Sequence, residues 1–302
     1  MLKYRAISFT VLMGLLWAIF FAPEKIGMWV FTFCAIAAIG VATYECAKMV
    51  DAGLFPCSPK VAGALSALLI AVFLLPYCVA EVVRPVCEVW KIFAVGRIGM
   101  LLLFLFLLYL PWLATVFGDT RKAKKGFTTA AVVFITAVPF GLLARLYFPN
   151  PKYLFFVMMV TKSMDTGGYV FGMLSNKWLP GGNHKLCPSI SPKKSWEGAA
   201  GGVLLSVLTA WALNAIIPEW SLHPSVNVVK LMPDEVLLFG VILAVASICG
   251  DLTESALKRK CGVKDSGNII PGMGGPLDVL DSFIYVAPAC ILYHAILRCI
   301  HG

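Results

Sequence analysis

Long runs of apolar residues, separated by charged or Pro/Gly-rich breaks, recur along the whole chain. Each is close to the roughly 20 residues that a bilayer core demands of a helix. The pattern predicts an all-α polytopic membrane protein with about nine transmembrane helices, near residues 7–22, 26–44, 61–83, 98–118, 126–148, 153–174, 197–217, 235–250 and 282–300. Composition agrees: 60% of the residues are hydrophobic and 14% charged, against roughly 25% charged in a soluble domain. Lys3 and Arg5 precede the first run as in a secretory signal, but no small-x-small cleavage site follows before Glu24, so this run is read as a retained helix.

The formal net charge of +9 serves as a topology signal rather than as a sign of a nucleic-acid partner, and none is expected. With the N-terminus cytoplasmic, 16 of the 25 basic residues fall in inside segments, 6 outside and 3 in or at the ends of spans. That bias follows the positive-inside rule and puts both large polar regions on the cytoplasmic face, where nucleotides are. The ten cysteines are scattered without a CxxC pair and half of them lie in apolar runs, so neither a disulfide nor a zinc site is expected.

Residues 1–125 read as N-terminal transmembrane scaffold, and 126–302 as the catalytic region with cytoplasmic loops at 175–196 and 251–277. Within the scaffold, residues 1–60 show no group that looks reactive. Pro76 and Pro111 are expected at kinks or helix ends, Arg97 is expected to snorkel, and the RKAKK cluster at 121–125 to face anionic headgroups. Trp220 and His223 are expected at an outer interface.

The sixth run changes character. Lys162, Asp165 and Thr166 fall at i, i+3 and i+4, on one helical face, and charge inside a span marks a functional candidate by default. Gly167 and Gly168 beside them permit close backbone approach. The polar loop that follows contains SPKKSWEG, residues 191–198. Ser195 and Glu197 suit a helix N-terminus, and the unpaired N–H groups there bind anions with Lys193 and Lys194 adding positive charge.

The densest polar stretch is GDLTESALKRKCGVKDSGNIIPGMGGPLDVLDS, residues 250–282. The eighth helix is expected to run on through DLTESALKRK, so that Asp251, Glu254, Ser255 and Lys258 form one stripe. Gly262 ends it. A glycine-rich loop follows, whose N–H groups can line phosphate oxygens, and the ninth helix begins near Asp278 with Asp281 one turn on. Acids on two helix ends, bases between them and glycines suit a divalent metal with phosphates.

These residues resemble a known signature. SALKR at Ser255–Arg259, KD at Lys264 and Asp265, IPG at Ile270–Gly272, Gly274–Gly275 and DxxD at Asp278 and Asp281 match that of the phosphatidate cytidylyltransferases, or CDP-diacylglycerol synthases, with the spacing kept. GDLTES, SPKKSWEG and DTGGYVFG (Asp165–Gly172) add support. Met273, Pro276 and Val279 depart from it, standing where the family usually has His, an aliphatic residue and Arg.

The resemblance implies transfer of CMP from CTP to phosphatidate in phospholipid biosynthesis, giving CDP-diacylglycerol and pyrophosphate, with Mg2+ and room for a second, monovalent cation. It assigns Asp251 and Asp278 to the metal and Lys258, Arg259, Lys264, Asp265 and Asp281 to catalysis. Lys162, Asp165, Ser191, Lys193, Lys194, Gly274 and Gly275 are assigned to substrate. The expected partners are CTP and membrane lipid, the expected location the cytoplasmic (inner) membrane of a bacterium, and helix faces rich in Gly and Ala suit a homodimer. Three alternatives stay open on the residues alone: another lipid phosphate as acceptor, a transporter using Lys162 and Asp165 as an intramembrane ion site, and an inactive scaffold.

Overall fold

The computed structural model describes residues 2–83, 120–148, 150–217, 231–271 and 274–301. The run expected at 98–118, with Arg97 and Pro111, lies outside them, as do Trp220, His223 and Met273. Nearly all described residues are helical: α1 Leu2–Phe21, α2 Glu24–Gly53, α3 Pro59–Val83, α4 Thr120–Arg145, α5 Pro151–Trp178, α6 Trp196–Ile216, α7 Pro233–Lys260, α8 Pro276–Leu280 and α9 Phe283–His301. One antiparallel pair, β1 Lys185–Cys187 and β2 Ser191–Ser195, joins α5 to α6.

Among the described residues, six candidate spans are long and apolar enough to cross a bilayer: Glu24–Gly53, Pro59–Val79, Arg121–Arg145, Trp196–Ile216, Pro233–Lys260 and Pro276–Leu297. The chain is therefore a multi-pass helical membrane protein. α5, with Lys162, Asp165 and two glycines in its middle, is not among the six.

The residues gather into two compact units, Met1–Ala144 with Lys260–Leu280, and Arg145–Arg259 with Asp281–Gly302. In the first, Pro23 ends α1 by biasing the residue before it away from the helical region. It then serves as the extended N-cap of α2 (φ −49°, ψ 136°). α2 has 30 residues, a length of about 45 Å at the usual rise. It packs on α3 through small residues: a Cβ on Gly40 would lie 3.0 Å from the Ala67 Cβ, and one on Gly63 3.0 Å from the Gly40 oxygen. With helix-on-helix packing in lipid lacking a hydrophobic drive, close contact and polar cross-links do the holding. Thr43 Oγ1 joins Thr136 Oγ1 of α4 at 2.8 Å, and Thr32 Oγ1 meets Cys78 Sγ of α3 at 3.1 Å.

The second unit is organised by α5 against α6, antiparallel across the β pair. A Cβ on Gly167 would lie 2.8 Å from the Gly202 Cα, and one on Gly198 would lie 2.7 Å from the Gly168 oxygen. Ser206 Oγ donates to the Val160 carbonyl (2.7 Å), and Thr209 to Ser163 (2.9 Å). An aromatic core of Tyr153, Phe156, Phe239, Tyr293 and His294 closes the other end; Phe239 and Tyr293 stack at 4.9 Å. α7 does continue through DLTESALKRK to Lys260, and Gly262 (φ +70°) ends it in the left-handed turn open to glycine. The structure departs from the expected single ninth helix. Asp278 sits in the five-residue α8, and Asp281 and Ser282 form a turn before α9.

Candidate active site

In the second unit a cavity of about 280 Å³ is lined by α5 (Asp165, Gly168, Tyr169), the β pair (Leu186, Ser191, Lys193, Lys194, Ser195), the start of α6 (Gly198, Ala199) and α7 (Ile248, Asp251). The sequence dictates its shape locally. Ser195, extended at φ −127° and ψ 159°, caps α6 by accepting from the Gly198 N–H at 3.1 Å. The glycines at 168, 172 and 198 bring α5 to the start of α6 with no side chain between them. A helix N-terminus flanked by two lysines thus faces the same space as two carboxylates.

Lys194, Asp251 and Asp165 of this cavity are each paired. Lys194 Nζ lies 2.7 Å from Asp251 Oδ2, and Ser255 Oγ donates to Asp251 Oδ1 at 3.2 Å. Lys162 Nζ bonds Asp165 Oδ2 at 2.9 Å and donates to Ser282 Oγ at 2.8 Å, while Ser247 Oγ reaches Asp165 Oδ1 at 3.4 Å. Asp281 lies within electrostatic range of Asp251, Lys162 and Asp165, and one of its oxygens accepts the Ser282 N–H at 2.5 Å. A Cβ on Gly250 would lie 2.5 Å from the Asp281 carbonyl oxygen, so Gly250 is what lets α7 approach this turn.

The remaining candidates of this unit lie further along α7. Arg259 Nε donates to the Ile190 carbonyl at 3.3 Å and so clips the turn of the β pair to the helix. Lys258 Nζ sits 2.5 Å from Oε2 of Glu254, whose residue is 2% exposed. Lys258 therefore balances a buried acid, a pairing the stripe pattern hinted at but did not name.

The first unit holds the glycine loop. Ile270 and Gly274 exchange backbone bonds (2.8 and 3.2 Å), closing a tight turn in which Gly274 has φ +95°. Asp278 organises it from α8: its carboxylate accepts the Gly275 N–H (2.8 Å), the Ser266 N–H (3.1 Å) and the Ser266 hydroxyl (2.8 Å). Lys264 and Asp265 are exposed on this loop. Burial pushes the Cys261 thiol up, so it stays protonated, packed against Gly53 at the end of α2.

One residue here was missed by reading the sequence. Glu45, in the segment taken as scaffold without a reactive group, is 2% exposed and accepts from the Leu277 N–H at 3.1 Å and the Ser266 hydroxyl at 3.3 Å. Glu45 stands one residue past the run expected at 26–44 and so reads as the polar end of a span; α2 in fact runs on to Gly53 and buries it.

Among the described residues no three His, Cys, Asp or Glu side chains converge as a ready-made metal cage. Mg2+ does not demand one, since it keeps waters and takes one or two carboxylates together with substrate phosphate. Asp251 fits that use: its carboxylate already holds a cation, the Lys194 ammonium, with Asp281 nearby.

A model of the Cytidylyltransferase family matches residues 3–297. The phosphatidate cytidylyltransferase of Bacillus subtilis is 34% identical over 285 residues, covering 92% of this chain and 94% of the relative. That of Staphylococcus epidermidis is 36% identical over 172 residues, 55% of this chain and 60% of the relative. The Synechocystis protein of the same name is 42% identical over 128 residues, covering 41% of this chain and 36% of its own.

Proposed function

The chain belongs to the cytidylyltransferase family, and from that premise we propose that it transfers CMP from CTP to phosphatidate, releasing pyrophosphate and forming CDP-diacylglycerol for phospholipid biosynthesis. The observation that carries this reading is the cavity in which the start of α6, Lys193 and Lys194 meet Asp165 and Asp251. Such a site suits a substrate rich in phosphate that arrives with a cation.

A phosphate oxygen of the lipid attacks the α-phosphorus of CTP; the new P–O bond forms as the α–β bridge breaks, and pyrophosphate takes the bonding pair. A phosphate monoester is already anionic near neutral pH, so the protein's work is orientation and charge neutralisation rather than proton abstraction. Lys193, Lys194 and the first N–H groups of α6 receive phosphate oxygens. Lys194 exchanges Asp251 for phosphate, which leaves the Asp251 carboxylate to a cation. Lys162, held by Asp165 and Ser282, places positive charge in the middle of α5. Arg259 keeps the β pair in place over α7, and Ser191 lies on the cavity wall.

Asp251 and Asp278 are the carboxylates we assign to Mg2+, with Asp281 supporting Asp251. When bound, Mg2+ would neutralise charge developing on the phosphate oxygens. The glycine loop, with Lys264 and Asp265 exposed on it, is a further phosphate-binding element; the N–H groups of Gly274 and Gly275 reach phosphate only by leaving Ile270 and Asp278. Lys258 acts on substrate only when it exchanges Glu254 for phosphate. A monovalent cation beside Mg2+, a homodimer and a nine-span threading with a cytoplasmic N-terminus belong to the same proposal. So does placement in a bacterial inner membrane with the site at its cytoplasmic face, which the basic residues of 121–125, 193–194 and 258–264 support through the positive-inside rule.

The test is pyrophosphate release by purified protein in detergent, given CTP and phosphatidate with and without Mg2+, and ATP as the control nucleotide. Release that needs CTP, lipid and metal together is the expected result. Release with ATP as readily as with CTP, or none from a well-folded sample, overturns it.

A further inference from the structure

The reaction as proposed uses the glycine loop but leaves unexplained why a buried acid from a distant helix stands against it. Glu45 enters from α2, more than 200 residues earlier in the chain than the loop. Its Oε2 accepts from the Leu277 N–H and from the Ser266 hydroxyl, on the two opposite arms of the loop. Its carboxylate also lies directly on two glycines: a Cβ added to Gly267 or to Gly275 would collide with it. No donor among the described residues reaches Oε1.

A group held for stability alone would not be built this way. A buried carboxylate oxygen without a hydrogen-bond donor is a cost to folding, and an apolar side chain of the same volume would fill the space without it. What the carboxylate does that an apolar side chain cannot is accept the Leu277 N–H of one arm while it lies against Gly267 of the other. The Ser266 hydroxyl has one proton and a closer acceptor in Asp278 Oδ2, so the firm bond from Glu45 is to the Leu277 N–H. That bond fixes the start of α8, while Asp278, one residue on, draws in Ser266 and Gly275.

We infer that Glu45 is a positioning residue for the transfer reaction: its buried carboxylate is a strut across the base of the glycine loop, bonded to the 274–277 arm and packed on the 266–267 arm, so that the loop and the exposed Lys264 on it are pre-set for phosphate oxygens. This rests on the function proposed above. Glu45 touches no substrate and acts through Ser266, Leu277 and the close approach of Gly267 and Gly275. A loop set in advance binds its anion without first losing conformational entropy.

Three proteins test it: wild type, Glu45→Ala, which removes the strut, and Glu45→Gln, which keeps an oxygen to accept the Leu277 N–H at the same length. Turnover is measured with CTP and phosphatidate varied in turn, and amide hydrogen exchange is followed at Ser266, Gly275 and Leu277 without substrate. In Glu45→Ala, KM for CTP is expected to rise about tenfold, with a smaller change in KM for phosphatidate, and those amides to exchange at least tenfold faster. Glu45→Gln is expected to return both to within about threefold of wild type. Exchange unchanged in Glu45→Ala, a KM rise that Gln does not rescue, or a loss that only follows the fraction of folded protein would each overturn the inference. A wild-type sample without CTP-dependent turnover would overturn the function instead, and the exchange rates would still decide whether the strut exists.

Discussion

Replacing Lys194 by methionine keeps most of the side chain's length and volume and removes its charge. In the ligand-free protein it breaks the 2.7 Å pair with Asp251, whose members are 24% and 32% exposed. Partly exposed pairs of this kind contribute about 1 kcal/mol or less, and Asp251 keeps the Ser255 hydroxyl at 3.2 Å. The unfolding midpoint should therefore fall by only a few degrees, in line with about 2–4 °C per kcal/mol for a chain of this order of size. Catalysis should suffer more. A hydrogen bond from a charged donor to phosphate contributes about 1.5–3 kcal/mol, and with 1.36 kcal/mol per factor of ten the expected loss in kcat/KM is about 10- to 150-fold. Steady-state pyrophosphate release at varied CTP, set beside thermal unfolding in the same detergent, reads both numbers. If kcat/KM stays within about threefold of wild type while the protein remains folded, Lys194 does not hold phosphate, and its bond to Asp251 is merely structural.

Asp251→Asn is expected to lower turnover at least about 100-fold with little loss of folded protein, and chelation of Mg2+ should abolish wild-type release until the metal is restored. Asp278→Asn should also abolish turnover, because Asp278 holds three loop groups as well as carrying negative charge; near-normal turnover in this variant removes it from the metal site. Gly167→Val should destabilise the second unit by about 1–3 kcal/mol, the usual cost of overpacking, since even its Cβ would meet the Gly202 Cα at 2.8 Å. A thermal midpoint equal to that of wild type would show that α5 and α6 can move apart there at no cost.

Much of the site was legible because its residues are polar where the chain is otherwise apolar. Lys162 and Asp165 announce themselves inside a span, Ser195 by its place before an apolar helix, and Gly262 by ending one. The continuation of α7 to Lys260 was readable for the same reason, since DLTESALKRK contains no helix breaker. The β pair was not: SPKKS lacks the alternation of a strand, and its pairing is fixed by the return from α5 to α6. The turn at Asp281–Ser282 was hidden in a run that reads as one helix from Asp278 onward. Glu45 was passed over because its partners, Ser266 and Leu277, are more than 200 residues away.

The sequence by itself determined the solvent and the helical class, and it carries the family's signature. Apolar runs of bilayer length force helices, and a signature of acids, lysines and glycines at fixed spacing can serve a nucleotide and a lipid phosphate. Only the tertiary structure decided who pairs with whom. It put Lys194 on Asp251, Lys258 on a buried Glu254, Asp278 on the glycine loop and Glu45 beneath it. Periodicity states which residues share a face of one helix, but in a membrane the faces are matched by close contact between small residues and by single hydrogen bonds. Those depend on which helices meet, and no local pattern in the chain records it.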